Sequence, residues 1–156
     1  MPLYFAPVGD APPVAGNDNV TGYEDVEVVI PSSVLLANDG DIDRDPLRIE
    51  SVSMDPLFGT IWMDGDGFIH VQPPLNRNGS IFFDYVVTDD ADGTDEGRVW
   101  IDLIAVNDAP TAAPDFAKTS LDAPLVLRIS DLMANDSDVD LLPDRYDLLQ
   151  FVGVVP

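Results

Sequence analysis

Ile81-Phe82-Phe83-Asp84-Tyr85-Val86-Val87-Thr88 and Arg98-Val99-Trp100-Ile101-Asp102-Leu103 decide how this chain folds. In the first run Phe83, Tyr85 and Val87 fall on one side and Phe82, Asp84 and Val86 on the other. In the second, Val99, Ile101 and Leu103 oppose Arg98, Trp100 and Asp102. Successive side chains of a strand point to opposite faces, so this period of two gives each run one apolar face to bury. Similar short runs, rich in β-branched and aromatic residues, occupy residues 14–20, 26–31, 47–54, 60–63 and 68–72. Asp, Gly, Asn and Pro separate them. Asp64-Gly65-Asp66-Gly67 reads as a hairpin turn. Helix-period patterns are nearly absent. The spacing predicts an all-β chain whose seven short strands, over about a hundred residues, form a β-sandwich.

Self-comparison gives the organisation. Leu35-Leu36-Ala37-Asn38-Asp39-Gly40-Asp41-Ile42-Asp43 returns as Leu132-Met133-Ala134-Asn135-Asp136-Ser137-Asp138-Val139-Asp140, an offset of 97. Val8-Gly9-Asp10-Ala11-Pro12 returns as Val106-Asn107-Asp108-Ala109-Pro110, an offset of 98, which places an extra residue near Pro13. The second copy also carries about five extra residues after Asp140. The expected division is the end of a preceding repeat or a leader over 1–10, a complete repeat over 11–110 and the first half of a second over 111–156. A half repeat cannot close its own core, so residues after about 111 are expected to pack poorly or to borrow a partner.

Of the 156 residues, 29 are acidic and 7 basic, a formal charge of −22, and there is no cysteine and one histidine, His70. A surface this negative repels phosphate, which excludes nucleic acid as a partner and argues against anionic lipid. No disulfide framework, thiol chemistry or two-histidine metal site can be built. At 46% hydrophobic residues the chain is no acidic disordered tail. No apolar run approaches the roughly 18 residues of a membrane span, so membrane insertion is not expected. Residues 1–5 lack the basic and apolar regions of a secretory signal. So many carboxylates repel one another unless a cation neutralises them, and carboxylate oxygen is what calcium prefers.

Strand parity assigns those acids to ends of the sandwich. Entering at the top, alternate loops put Asp10, Asp39, Asp41, Asp43, Asp45, Asp89 and Asp90 together, with Asp92, Asp95 and Glu96 beside them. Asp64 and Asp66 share that end but read as turn formers. Glu24, Asp25, Asn107 and Asp108 collect at the bottom. In a head-to-tail array the bottom of one repeat would face the top of the next, which brings in Asp138 and Asp140. Oxygens from two repeats would then suit the six to eight ligands of a calcium ion, Ca2+. Asp39, Asp41, Asp43, Asp45 and Glu50 also fall on EF-hand positions, but Arg44 stands where that loop needs glycine and a strand-like run follows Pro46. His70 reads as structural. Trp62 and Trp100 read as packing residues, with a sugar-stacking platform as the alternative. No nucleophile elbow or phosphate loop occurs, and acids at loop tips without a wide apolar cleft fit ion binding better than glycoside hydrolysis, so no enzyme is expected.

Val106-Asn107-Asp108-Ala109-Pro110, Tyr23-Glu24-Asp25, the Leu-Leu-Ala-Asn-Asp-x-Asp-x-Asp string, Phe58-Gly59-Thr60, Phe83-Asp84-Tyr85-Val86-Val87-Thr88-Asp89 and Gly93-Thr94-Asp95 occur together. In combination they resemble the cadherin-like tandem repeats of large bacterial surface adhesins and RTX-type secreted proteins. The resemblance covers residues 10–110 and the start of the next copy. It implies an extracellular or cell-surface Greek-key sandwich that binds calcium between repeats and stiffens an adhesive rod. Its partners would be neighbouring repeats and a cell-surface protein or glycan. It also implies ligand roles for Glu24, for Asn107 and Asp108, and for Asp138 and Asp140. The chain departs from the pattern at Gly9, where the outgoing linker has Asn107, and at Leu121, where the first copy has Glu24. A calcium-dependent carbohydrate-binding module is the alternative function.

Overall fold

A computed structural model describes residues 9–89, 93–122, 124–140, 149–150 and 152. The chain divides into two compact units, 1–106 and 107–156.

The first unit contains the seven strands. They are β1 (Asp18–Tyr23), β2 (Val28–Pro31), β3 (Arg48–Ser53), β4 (Thr60–Met63), β5 (Phe68–Gln72), β6 (Gly79–Thr88) and β7 (Thr94–Ile104). One sheet has the order β1-β7-β6-β3 and the other β2-β5-β4. β1 runs parallel to β7, and every other pair is antiparallel. The chain crosses between sheets after β1, β2, β3 and β5, which makes the sandwich a Greek key. The decisive runs lie at its centre. In β6 and β7, Ile81 faces Ile101, Phe83 faces Val99 and Tyr85 faces Gly97. Ile81, Phe83, Tyr85, Val87, Val99 and Ile101 are fully buried, together with Ile69 and Val71 of the opposite sheet. Covering each such side chain is worth about 1.5–3 kcal/mol over leaving it exposed, so these two strands carry much of the core. A Cβ on Gly97 would stand 2.5 Å from the Tyr85 ring, so glycine lets that ring lie against β7.

Several boundaries differ from the sequence expectation: β6 and β7 start earlier, at Gly79 and Thr94, and β2 later, at Val28. β1 starts at Asp18 rather than near Val14. Residues 15 and 16 donate their amides to the carboxylates of Asp95 and Asp39 instead of to a ladder. A four-residue helix, α1 (Ser32–Leu35), follows β2 and buries Leu35. Four residues are too few to leave a helical period in the sequence.

In the second unit the described residues form one short helix, α2 (Ile129–Leu132), and an isolated bridge between Thr111 and Ser137. Asp140 is the only buried residue among them. Among the described residues of the chain no helix is long and apolar enough to cross a membrane.

Candidate metal centre

Three acidic segments converge at one end of the first unit: the approach to β1, the loop between α1 and β3, and the β6–β7 turn. The loop is folded by its own carboxylates. Asp41 Oδ1 accepts hydrogen bonds from the amides of Asp43 (2.6 Å) and Asp45 (3.5 Å), and Asp43 Oδ2 accepts one from Ala11 (2.9 Å). Arg44 takes a positive φ of 67° to complete the turn. Asp89 is buried and accepts the Gly93 amide at 3.0 Å. A Cβ on Gly93 would collide with the Asp89 carboxylate and approach Pro12, so glycine lets the turn close over that carboxylate.

The electrostatics follow from this convergence. Desolvation, then the carboxylates of Asp89, Asp45 and Asp43, holds the Asp10 carboxyl above the usual range. Asp10 therefore lies within reach of the charge of Asp43, Asp45 and Asp89. Beside them, Asp41 Oδ2 is buried with no hydrogen-bond partner. A carboxylate oxygen deprived of water and donors is costly, and a cation is the usual remedy. Among the described residues no three His, Cys, Asp or Glu side chains already form a metal cage.

Asp39 is spent differently. Its Oδ1 accepts the Gly16 amide at 2.7 Å and lies 2.9 Å from the Tyr85 hydroxyl, which is also 2.9 Å from Gly16 O. Burial and the carboxylates of Asp39 and Asp18 push the Tyr85 phenol far up, so it stays a neutral donor. Burial, then the Asp39 charge, raises the Asp18 carboxyl in turn. Sequence reasoning missed this tie. Tyr85 on the apolar phase of β6, with a buried hydroxyl to satisfy, was the available signal.

At the other end of the unit Glu24 is 1% exposed. Its Oε1 accepts the Val106 amide at 2.6 Å and its Oε2 the Asn78 side chain at 3.3 Å. Asp25, at a φ of 62°, accepts the Asn76 amide at 2.6 Å. Asp90 lies outside the described residues.

The second unit repeats, among the described residues, several of the acidic loop's hydrogen bonds. Asp136 accepts the Ala113 amide as Asp39 accepts Gly16, and Asn135 reaches Pro114 O as Asn38 reaches Asn17 O. Thr111 and Ser137 bridge as Val14 and Gly40 do. Asp138 accepts the Asp140 amide at 2.9 Å, and Asp140 accepts the Asp108 amide in a short bond. Every one of these pairs is related by 97 residues, so Asp108 occupies the place of Ala11. The extra residue implied by the 98-residue offset thus lies before Ala11, not near Pro13. Asn107 uses its side-chain amide on Asp108 O at 2.9 Å.

Asp64 is a turn former, its Oδ1 taking the amides of Asp66 and Phe68 at 2.9 Å each. The tryptophans stand on different sheets. Trp62 of β4 stacks on His70, with ring centroids 5.0 Å apart and 4° between planes. Trp100 of β7 is tilted against Phe82, whose ring carries the Arg98 guanidinium at 4.2 Å. They form no common platform.

The model of a family described as cadherin-like domain matches residues 8–103. No curated protein matches the chain. Among solved structures, a nucleoside hydrolase-related hypothetical protein from Saccharophagus degradans is 19% identical at a TM-score of 0.45, covering 61% of this chain and 26% of that one. An endo-fucoidan hydrolase of glycoside hydrolase family 107 is 20% identical at 0.41, covering 69% and 17%. The human desmocollin-1 ectodomain is 17% identical at 0.35, covering 67% and 23%. The chain thus spans about a quarter or less of the length of these proteins.

Proposed function

The chain belongs to the cadherin-like domain family, and from that premise we propose that it is an extracellular, non-enzymatic adhesive repeat whose acidic loops bind calcium. The observation that carries this reading is the partnerless buried oxygen Asp41 Oδ2 beside Asp10, whose carboxyl is raised by burial and by the charges of Asp89, Asp45 and Asp43. Asp10, Asp41, Asp43, Asp45 and Asp89 would hold the ion in the first unit. Asp108, Asp138 and Asp140 would do so in the second. Calcium would supply the positive charge that the sequence withholds, at 29 acids to 7 bases. The chain's own part is to fix the ligands. Asp39 anchors the loop to Tyr85 and Gly16, the Asp41 turn aims Asp43 and Asp45, and Gly93 closes over Asp89. With the ion bound, loops that otherwise repel become rigid, and stiffness of an array of such repeats would depend on calcium. A setting in a large bacterial adhesin or RTX-type secreted protein, with a cell-surface protein or glycan as far partner, extends the same reading. The carbohydrate-module alternative rests on an exposed tryptophan; Trp62 and Trp100 are 44% and 41% exposed, each on its own sheet, and a glycan array with and without chelator separates the two readings.

Affinity in the weak extracellular range, roughly 10⁻⁴–10⁻³ M, is expected. Thermal unfolding at constant ionic strength tests the proposal. Calcium should raise the melting temperature beyond matched magnesium, and Asp41→Asn with Asp43→Asn should abolish most of that rise. Equal effects of the two ions would refute it.

A further inference from the structure

A row of rings crosses the outward face of the β1-β7-β6-β3 sheet. Phe58 (from the turn before β4), Phe82 of β6 and Trp100 of β7 follow one another with centroids 5.0 and 5.1 Å apart. Trp100 stands opposite Phe82 on one side and Asn19 of β1 on the other. The period of two turns Phe82, Asp84, Arg98 and Trp100 away from the core that Phe83, Tyr85, Val99 and Ile101 fill. The Arg98 guanidinium lies 4.2 Å from the Phe82 centroid, so it covers that ring and leaves Trp100 as the exposed end of the row. Arg98 Nε and Nη2 donate to the two oxygens of Asp84 at 2.6 and 3.0 Å. A guanidinium has five N–H groups, and the others on Arg98 keep no acceptor among the described residues. Two hollows, of about 330 and 250 Å³, flank this pair. Asn17, Glu96 and Arg98 line one, Ser53, Asp55 and Phe82 line the other, and Asp84 borders both. A bare indole thus sits beside unspent donors and polar hollows. Trp62 has no such setting, because His70 takes one face of its ring and spends both ring nitrogens on Glu27 and Asp64.

The geometry points to a glycan subsite on this face, built on Trp100 and Arg98, that takes an uncharged pyranose. Such a ring has an apolar C–H face and a rim of hydroxyls. Trp100 would stack the face, while the free Arg98 N–H groups, Asp84 and Asn17 would meet the rim. Charge selects an uncharged sugar. Arg98 is balanced by Asp84, and Glu96 and Asp102 stand exposed on the same phase of β7 in a chain of charge −22, so a uronate or sulfate would be repelled. Size selects a sugar over a protein. An aromatic side chain buries at most about 150–250 Å². Three of them, two already half-covered, fall short of the roughly 800 Å² that a stable protein partner covers on each side. The subsite deepens the adhesive reading by naming the face and the class of glycan. None of its residues is a proposed calcium ligand, so either reading can fail alone.

The chain's two tryptophans give two indole N–H resonances, one on this face and one on the other sheet. Neutral hexasaccharides of β-linked glucose, mannose, xylose and galactose, with hexagalacturonate as the acidic counterpart, are titrated into the isotope-labelled chain in calcium and again in EDTA. At least one neutral sugar should move the Trp100 indole resonance saturably in both conditions and leave that of Trp62 in place. Trp100→Ala should weaken binding at least about ten-fold, with an unchanged Trp62 resonance showing that the fold is retained. Trp62→Ala should leave binding unchanged. No saturable shift up to about 10 mM of any neutral sugar would overturn the inference. Preference for hexagalacturonate, equal binding by Trp100→Ala or a shift centred on Trp62 would do the same. Binding lost in EDTA would assign the sugar to the acidic loops and equally overturn it. A melting temperature indifferent to calcium would refute the calcium reading and leave this one standing.

Discussion

The two units share a loop and differ in a core. Asp39, Asp41 and Asp43 and their counterparts Asp136, Asp138 and Asp140 accept the same backbone amides at the same spacing. Leu35 is fully buried, whereas its counterpart Leu132 lines a cavity. The contrast separates two kinds of information in one sequence. The loop's bonds to backbone amides are local, joining residues within 32 positions of one another, and in the second unit they form with no strand among the described residues; in the first unit Tyr85, 46 positions from Asp39, adds a distant tie. The core is non-local, because β1 must reach β7 and β2 must reach β5 before either apolar face is covered.

The largest test of this contrast is in the two leucines. Leu35→Ala should cost the first unit about 3–4 kcal/mol, the range for emptying a packed leucine site. Leu132→Ala should leave that unit's urea midpoint unmoved, since Trp62 and Trp100 report on it alone. Equal losses would break the comparison. Next comes Tyr85→Phe, which deprives Asp39 and Gly16 O of a donor in the first unit. It should cost about 1–3 kcal/mol by chemical denaturation, and a change within error would mean that the loop holds without its anchor.

The smallest effect concerns His70. Its Nδ1 lies 2.9 Å from Glu27 and its Nε2 3.2 Å from Asp64, and only the imidazolium can donate to both. The hydrogen bonds to Asp64 and then Glu27 raise its pKa above the ordinary 6.5. A folded pKa raised in this way stabilises fully below the unfolded value, and the gain is lost as pH rises through the folded one. His70→Gln should therefore flatten the pH dependence of the first unit's melting temperature above about pH 6.5 and leave the second unit unaffected. An unchanged slope would show that the clasp contributes nothing.

The sandwich was legible because β6 and β7 alternate strictly, and strand parity then brought Asp10, Asp43, Asp45 and Asp89 to one end. How each carboxylate is used was not legible. An aspartate that accepts backbone amides, as Asp39 does, and one that keeps a bare oxygen, as Asp41 does, look alike as letters. Glu24 reads as a surface acid at a strand end, yet it is buried because the Val106 amide and Asn78 satisfy it. Val14 and Ala15 look like strand residues, yet β1 starts four residues after Val14, at Asp18. Side-chain carboxylates, invisible to periodicity, claim the backbone there.

The central claim is that the acidic loop is a calcium site, and an amide-resolved titration of the chain with calcium tests it most directly. The account predicts saturable shifts at Ala11, Asp43 and Asp45, with a midpoint of roughly 10⁻⁴–10⁻³ M and weaker effects from magnesium. Absence of a saturable shift at those amides, or an identical response to magnesium, would contradict it.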